Sequence, residues 1–596
     1  MKRTPHVVAL FVLLISAFAL PACVPEEGSS CADPPELTNE DINGGATLGP
    51  GCYEVRSSLT LEEGLLTIEP GVEMVFYQDV GMTIRDEGRL HVRGKASAPV
   101  QMYGSVPERG HWKGLYFHDT DANKNSLEYL ELSHAGSSQW HGGAISRGGV
   151  FVRSDAVRLS VTDSTFAKND QAAIVADGAD SDLRISDSTF EDNETPIWVH
   201  PNLLGRLDGL SFVDNDNRYV RTALGGSGND IVDEQIILDL GVPYLVSKTI
   251  DVDASVVIEA GAMFVFDQDA GMDVREAGRL SVNGDPDQPV ILTGLENKRG
   301  FWKGLYFAES LSGRNDLEHV VIEYAGSEQW HGGGVSRGGI YARGDGVALR
   351  IDNVIFRSNS QAGFVADGEG ADIDIISSIM TENEMPMWVP ANLLGRISAD
   401  TSVADNDKDY VLVGRGSTTN VVVPQSWNAL DAPYRMNTTV KVESALELSP
   451  GMTLEFAQDV GMQVDEGSLV ADASAADPIR FVPAGEEPIK GFWKGLSFHR
   501  SLNTTNKLAN VDIMYGGSSG WHGGSTSIAN LHLRGGDDKS QVALDDVRLV
   551  GSEHWGISVE SEAIVSPCQR LKLQNNGRGG DGGPRYVGED AIYECQ

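Results

Sequence analysis

Short runs that alternate apolar and polar residues are the main pattern along this chain. Two examples are Leu183-Arg184-Ile185-Ser186 and Leu349-Arg350-Ile351-Asp352. A period of two is typical of a strand with one buried face, and the Asp, Asn and Gly between the runs end strands and permit left-handed turns. No stretch of helix length with a period of 3.6 competes with it. The pattern therefore predicts an all-β protein.

Asparagines follow equivalent apolar runs at regular distances. The steps are 24 and 22 residues in one set and 24 and 23 in another, at Asn169, Asn193 and Asn215 and at Asn359, Asn383 and Asn406. Asn tolerates turn conformations, and stacked Asn side chains can hydrogen-bond along a ladder. An antiparallel sandwich would turn after roughly 8–12 residues, with hairpin signals that are sparse here. The spacing predicts the coils of a parallel β-solenoid.

The chain repeats one long unit three times. The motif Gln-Asp-x-Gly-Met begins at Gln78, Gln268 and Gln458, a step of 190 residues each time. A fixed long period indicates a stacked repeat architecture. Two further motifs recur: Trp-Lys-Gly-Leu at 112–115, 302–305 and 493–496, and Trp-His-Gly-Gly at 140–143, 330–333 and 521–524. We divide the chain into module one (51–240), module two (241–430) and module three with a C-terminal cap (431–596).

These motifs resemble those of a known group of proteins. Gly88-Arg89-Leu90, Pro99-Val100 and Trp112-Lys113-Gly114, followed by repeated Phe-x-x-Asn coils, are similar to bacterial surface proteins with right-handed parallel β-helices. The resemblance implies the fold shared with pectate lyases over nearly all of the chain after residue 50. It implies little about chemistry, because this fold hosts lyases, hydrolases, adhesins and passive stalks.

The N-terminus has the pattern of an export signal. Lys2 and Arg3 precede an apolar run from Val7 to Leu20, which has the length of a signal-peptide core and is too short to span a bilayer. The run ends in Leu20-Pro21-Ala22-Cys23, which resembles the bacterial lipobox, where the cysteine receives a diacylglycerol. The alternative is an ordinary cleavage that leaves Cys23 as a thiol.

The lipobox resemblance implies a lipoprotein signal peptide over 1–22, a lipid anchor at Cys23, and a tether or N-terminal cap over 23–50. Val24 follows the cysteine, where no Asp occurs. By resemblance this indicates the outer membrane of a bacterium with two membranes, on either its periplasmic or its surface face. The protein would therefore be attached to the membrane through this lipid.

The other four cysteines lie near the two ends of the chain, as Cys31 and Cys52 and as Cys568 and Cys595. Two local pairs in an exported protein predict two disulfides, one at each end. A metal site is the weaker interpretation, because there is no Cys-x-x-Cys spacing and no neighbouring histidine cluster.

Charge narrows the classes of partner. The chain has 46 Lys and Arg against 86 Asp and Glu, a formal net charge of -40. Nucleic-acid binding needs clustered basic residues, so this composition argues against a nucleic-acid partner.

The Trp-His-Gly-Gly motifs are the best candidates for ligand binding. A tryptophan is a flat platform for a sugar ring, and the adjacent glycines let a ligand approach closely. The alternative is structural, with the indole covering a corner and donating its N–H to the backbone. The candidate ligand-binding residues are Trp140, His141, Trp330, His331, Trp521 and His522.

Catalysis has less support in the sequence. A polysaccharide lyase needs a basic residue and often calcium held by carboxylates. Lys113 and Asp79 have counterparts in every module, yet no module has an acidic cluster of its own beside a base. A carboxylate pair on adjacent coils would be invisible in sequence. Repetition instead suits multivalent binding or a folding constraint.

No cofactor motif is evident, and a calcium ion has no assigned position. Residues 225–233 match the calcium-binding nonapeptide pattern once, and we interpret them as a glycine-rich turn. The sequence therefore predicts a lipid-anchored extracytoplasmic β-helix with a structural or glycan-binding role at the bacterial envelope. Its partner would be a polysaccharide or a surface protein. The alternative is a polysaccharide lyase or glycoside hydrolase of the pectate-lyase-like fold.

Overall fold

The protein is described here from a computed structural model. It covers residues 34–120, 124–142, 146–153, 157–179, 181–223, 228–310, 313–332, 336–415, 418–485, 489–577 and 585–595. The predicted signal peptide, Cys23, Cys31 and residues 225–227 of the glycine-rich turn lie outside these ranges. Within them the chain forms a right-handed parallel β-helix, as predicted.

Each coil presents up to three strands, which we call face A, face B and face C in chain order. Within a module, most strands pair in parallel with their counterpart one coil later. Phe166 pairs with Phe190 and Phe190 with Phe212, steps of 24 and 22 residues. The predicted coil length is therefore confirmed.

Module one has two long strands that each span faces B and C, Leu59–Ile68 and Gly81–Arg93. Its face A strands are Gly51–Val55, Val72–Phe76, Val100–Gly104, Leu130–Ser133, Thr165–Ala167, Thr189–Glu191 and Ser211–Val213. Face B adds Gly114–Thr120, Val150–Arg153, Ile174–Ala176, Ile197–Val199 and Val220–Thr222. Face C adds Ala46–Leu48, Lys124–Glu128, Arg158–Thr162, Asp182–Ser186 and Leu207–Asp208.

Module two repeats this arrangement with shorter strands. The face B and face C ladders of modules two and three begin shortly before the boundaries at 241 and 431, so their first strands are grouped with the module that they pair with. Its face A strands are Tyr244–Val246, Met263–Phe266, Val290–Gly294, Val320–Glu323, Ile355–Arg357 and Ile379–Thr381. Face B comprises Asp230–Ile231, Ile250–Val252, Gly271–Glu276, Gly304–Ser310, Ile340–Ala342, Phe364–Ala366, Met387–Val389 and Val411–Val413. Face C comprises Gln235–Ile237, Ser255–Glu259, Arg279–Asn283, Asn315–Glu318, Ala348–Asp352 and Asp372–Ile376.

Module three again has two long strands, Lys507–Met514 and Gln541–Val550, which join face C to face A. Face A adds Tyr434–Met436, Thr453–Phe456, Ile479–Pro483 and Lys572–Gln574. Face B comprises Thr418–Val421, Thr439–Val442, Gly461–Asp465, Gly495–His499, Ala529–Leu533, Trp555–Val559 and Arg585–Val587. Face C adds Gln425–Trp427, Ala445–Leu448, Ser468–Asp472, Ile564–Gln569 and Ile592–Tyr593.

Helices are few and short. The α-helix Asn39–Ile42 covers the first coil, where Ile42 is buried and the side-chain oxygen of Asn39 accepts from the N–H of Thr60. Residues 34–50 therefore form a packed cap instead of a free tether. The 3₁₀ turns are Pro201–Arg206, Ala391–Arg396, Ser525–Ser527 and Gly536–Asp538. None of the described helices is long and apolar enough to cross a membrane.

The strand ladder runs without a break from one module to the next, but it changes face. Val220 on face B of module one pairs with Tyr244 on face A of module two. Val411 on face B of module two pairs with Tyr434 on face A of module three in the same way. Each module is therefore turned by one face about the helix axis relative to the module before it.

One hydrophobic column fills the interior from Leu37 to Cys568. Asparagine side chains buried along this column are hydrogen-bonded to one another. Asn169, Asn193 and Asn215 form a side-chain ladder with Nδ2–Oδ1 distances of 2.9 and 3.0 Å. Asn359, Asn383 and Asn406 form the second ladder at 2.9 and 3.1 Å. Both predicted asparagine ladders are confirmed.

Candidate functional site

The three repeated motifs meet at the edge between faces A and B of each module. There the Trp-His-Gly-Gly loop places its tryptophan over the glycine of Gln-Asp-x-Gly-Met. A Cβ atom on Gly81 would lie 2.6 Å from Cη2 of Trp140, so only glycine leaves room for the indole. The corresponding distances are 2.9 Å at Gly271 and 2.7 Å at Gly461. We call this edge the tryptophan corner.

The lysine of Trp-Lys-Gly-Leu completes each tryptophan corner. The ammonium groups of Lys113, Lys303 and Lys494 lie 4.3, 4.3 and 4.5 Å from the tryptophan ring centroids. A cation at this distance is attracted by the ring quadrupole. Burial lowers the pKa of Lys113 and of Lys494.

In modules one and two a tyrosine also stacks on the corner indole. The ring centroids of Tyr116 and Trp140 are 5.0 Å apart, and those of Tyr306 and Trp330 are 5.2 Å apart. The corner indoles are therefore half-buried, and only part of each ring is open to a ligand. Their Nε1 atoms are enclosed and have no hydrogen-bond partner among the described residues. Ligand contact at these residues stays a prediction.

The tryptophans of the Trp-Lys-Gly-Leu motif belong to the interior. Trp112, Trp302 and Trp493 are fully buried. Each donates its indole N–H to a backbone carbonyl at 2.7 Å, on Ser133, Glu323 and Met514 respectively. These three tryptophans therefore have a structural role.

The histidine of each corner faces one position on the outer surface of face B, and this position differs between modules. In module one it is Phe151, whose ring lies 5.3 Å from that of His141. In module two it is Tyr341, which is hydrogen-bonded to Nε2 of His331. Tyr341 donates its hydroxyl to Asp367 at 2.5 Å.

Module three has a second histidine at this position. Nε2 of His522 lies 2.6 Å, and Nε2 of His532 3.3 Å, from the same carboxylate oxygen of Glu560. His532 is 1% exposed and Glu560 15%, whereas His522 is 26% exposed at the loop. The three side chains thus converge just beneath the surface of module three.

The carboxylate of Glu560 is held firmly. Its other oxygen accepts from Arg534 at 3.1 Å and from the N–H of Gly535 at 3.2 Å. Burial acts to raise the pKa of Glu560, but the hydrogen bond from His532 and the positive charges around it outweigh burial and lower the pKa to about 2. Burial lowers the pKa of His532.

Module two carries a carboxylate pair that spacing along the sequence did not reveal. Asp251 and Asp273 are paired on neighbouring face B strands, so both side chains point to the same side. Asp273 is 6% exposed and contacts Arg275 through one oxygen. Burial raises the pKa of Asp273 to about 6, and burial also raises the pKa of Asp251.

The aspartates of the Gln-Asp motif have a backbone role. Asp79, Asp269 and Asp459 have φ angles of 58°, 60° and 60°. Asp is one of the few residues that tolerate this left-handed conformation. A turn requirement therefore accounts for their recurrence.

One predicted disulfide is confirmed and the other is described in part. Cys568 is bonded to Cys595 and ties the last face C strands together. Cys52 takes part in a disulfide, but its predicted partner Cys31 lies outside the described residues. Cys23, the predicted lipid site, also lies outside them.

The three corners do not share one side of the molecule. Each lies between faces A and B of its own module, and successive modules are turned by one face. The corners therefore project from three different edges of the helix, and one straight ligand strand cannot lie along all three.

Sequence reasoning identified the corner histidines and missed the groups behind them. Phe151, Tyr341 and His532 each follow the corner histidine by ten residues, so an alignment of the three modules could have found the exchange. The carboxylate neighbours of Tyr341 and His532 lie one coil further on, and spacing along the chain does not show which of the many acidic residues they are. No protein-family model and no curated protein matches the chain.

Proposed function

We propose that the protein is an exported, lipid-anchored β-helix at the bacterial envelope that binds glycans at its tryptophan corners. The lipobox-like run Leu20-Pro21-Ala22-Cys23 supports the anchor, and the repeated corners of the parallel β-helix support the glycan-binding role. A cap over the first coil and a disulfide at the last strands suit a durable extracytoplasmic protein.

The observation that carries this proposal is the threefold construction of the corner. Glycine, lysine and tryptophan come from separate parts of each module, yet they meet with nearly the same geometry three times. The open part of the indole offers a surface for a sugar ring, and the lysine beside it offers a donor to hydroxyl or carboxylate oxygens. Because the corners project from different edges, we expect branched or network glycans to engage more than one corner.

Binding is tested with the chain carrying Cys23→Ser, mixed with acidic and neutral polysaccharides with and without calcium. Size-exclusion chromatography that detects both protein and sugar should show intact sugar eluting with protein. Replacing Trp140, Trp330 and Trp521 together with alanine should abolish this co-elution.

The matched control is the double variant Trp198→Ala/Trp388→Ala. Both residues are half-buried tryptophans on face B but lie outside the corners, so this variant should keep the binding. Unchanged binding in the triple corner variant would refute the glycan site.

The anchor is tested separately by detergent phase partitioning of the protein expressed in a bacterium. The unaltered chain should enter the detergent phase, and the Cys23→Ser variant should stay in the aqueous phase. Aqueous partitioning of both chains would remove the lipid anchor from the proposal.

The carboxylate pair favours glycoside hydrolysis as a second candidate function. Neighbouring strands lie about 4.8 Å apart, close to the roughly 5 Å that separates the carboxyls of retaining glycosidases. The raised pKa of Asp273 suits a general acid, and Asp251 would serve as the second carboxylate. Hydrolysis would shorten the sugar peak with time and release reducing ends. The Asp273→Asn variant should then lose activity at least 100-fold, whereas unchanged release of reducing ends would exclude this pair.

A further inference from the structure

We propose that His522, His532 and Glu560 form a site for a divalent transition-metal ion of the zinc class in module three. The ligand atoms are Nε2 of each histidine and one carboxylate oxygen, and all three lie within 4.8 Å of one another. Two imidazoles and one carboxylate are a donor set that zinc takes in proteins, with a fourth position left for water or a ligand atom. The site includes His522 of the module-three corner, but the inference does not require glycan binding at the corners.

The spacing of the three atoms suits a single ion. A zinc ion bound at about 2.0–2.1 Å in tetrahedral geometry holds its ligand atoms roughly 3.4 Å apart. Here Glu560 Oε1 lies 2.6 Å from Nε2 of His522 and 3.3 Å from Nε2 of His532. A small outward shift of His522, which sits on a partly exposed loop, opens the space for the ion.

The hydrogen bonds on the far side of each imidazole direct Nε2 at the ion. Nδ1 of His522 lies 3.2 Å from the carbonyl oxygen of Gly523, which can only accept, so Nδ1 carries a proton. Nε2 is then the nitrogen that faces the carboxylate oxygen of Glu560, and a metal ion between the two atoms would replace their hydrogen bond with two ligand bonds. Nδ1 of His532 is held by the hydroxyl of Ser497 at 2.9 Å, the kind of outer contact that orients metal-binding histidines.

The carboxylate is oriented as a metal ligand should be. Arg534 and the N–H of Gly535 hold one oxygen of Glu560 and leave the other for the ion. His532 is buried, whereas His522 is partly exposed at the loop. The fourth ligand position therefore faces the solvent side, where a water or an oxygen of a bound molecule can reach it.

The other two modules supply internal comparisons for this inference. Module two has Tyr341 in place of His532 and Asp367 in place of Glu560. The hydroxyl of Tyr341 hydrogen-bonds to both His331 and Asp367 and so occupies the position of the ion. Module one has Phe151 at the same place, which offers no ligand atom. The proposal therefore predicts one metal ion per chain, in module three.

The test uses the chain with Cys23→Ser and no histidine tag, stripped with EDTA and then dialysed against zinc ions. Elemental analysis should find one zinc per chain, and calorimetry should give a single binding step. The variant His522→Ala should lose that zinc or bind it at least 100-fold more weakly, while the counterpart variant His331→Ala should bind as the unaltered chain does. Zinc should also raise the melting temperature of the unaltered chain and not that of His522→Ala.

Two further variants keep the test decisive. Glu560→Gln should weaken zinc binding at least 10-fold, and His522→Ala remains informative if Glu560→Gln does not fold. The double variant Tyr341→His/Asp367→Glu should add a second zinc to the chain. The proposal is overturned if the unaltered chain holds no zinc at 10 μM free ion, or if His522→Ala binds zinc as tightly as the unaltered chain.

Discussion

Modules one and two have an apolar row on the outer surface of face B, whereas module three has a polar row at the same positions. The rows are Tyr116, Phe151, Val175 and Trp198 in module one, Tyr306, Tyr341, Val365 and Trp388 in module two, and Ser497, His532, Ser558 and Tyr586 in module three. The inward residues change much less. Strand pairing and the core need only the inward residues, so the outer row can change its chemistry while the fold stays the same.

The two kinds of row hold the tryptophan loop in different ways. In modules one and two the loop tryptophan packs on an outer apolar cluster separate from the main core. In module three Ser497 replaces the stacking tyrosine, and His522 is tied to Glu560 instead. The loop of module three therefore depends on polar and ionic contacts, which respond to metal ions and to pH.

The largest expected effect tests whether the interiors are equivalent. Trp302→Ala in module two and Trp493→Ala in module three should each lower the free energy of unfolding by about 3–5 kcal/mol, because each removes a fully buried indole. Chemical denaturation followed by circular dichroism measures both. Trp388→Ala is the control: it removes a half-buried indole and should lower the free energy of unfolding by less. If Trp493→Ala lowers the free energy of unfolding far less than Trp302→Ala does, the cores of modules two and three are not equivalent.

The buried asparagines sharpen the same comparison. Asn193→Ala would remove the side chain that bonds the N–H of Asn169 and the carbonyl of Phe166. We expect the free energy of unfolding to fall by about 2–4 kcal/mol. Asn576→Ala in module three should cost a similar amount, because Asn576 bonds Ser552 and Leu549 in the same manner. Denaturation curves measure both variants. The exposed Asn297→Ala should change stability by less than about 0.5 kcal/mol, and equal losses at all three sites would argue against the ladder.

The pH dependence should differ in sign between modules two and three. The pKa of Glu560 is about 2 against an ordinary 4.5, so its charge stabilises the fold above pH 4.5 and that contribution is lost as pH falls toward 2. Glu560→Gln should therefore cost about 2 kcal/mol at pH 7 and much less at pH 2.5.

For Asp273 the folded pKa of about 6 exceeds the ordinary 3.8, so its charge destabilises the fold above pH 6 and the cost disappears as pH falls toward 3.8. Asp273→Asn should stabilise the protein at pH 7 and not at pH 4. Denaturation of both variants over this range gives the measurement. If the two substitutions change the free energy of unfolding in the same direction as pH rises, the predicted difference between modules two and three is wrong.

The smallest expected change in stability comes from replacing the corner lysines. Lys303→Met and Lys494→Met each remove a cation over an indole, which is worth about 0.5–1 kcal/mol. Amide exchange in the tryptophan loops should rise more for Lys494→Met, because Ser497 stands where a tyrosine stacks on the indole in the other two modules. Lys298→Met, on an exposed turn, should leave loop exchange unchanged.

Much of the fold could be predicted because its signals are local and repeated. Alternation along Leu183-Arg184-Ile185-Ser186 matches the strand Asp182–Ser186, and the asparagine steps match the coil length. The candidate site was predicted only in part. Trp140 and His141 stand out by recurrence, but the motifs do not show that Gly81 and Lys113 lie against that indole. The role of Asp79 was open until its backbone conformation was known.

The sequence by itself determined the all-β solenoid, the coil length, the asparagine ladders and the residues of the three motifs. It could do so because strand period, turn residues and repeats depend on neighbours along the chain or at a constant step. Only the tertiary structure decided that each module turns by one face, that the corners project from different edges, and that His522, His532 and Glu560 converge. These depend on the register between coils and on side chains from separate coils, which no local pattern specifies.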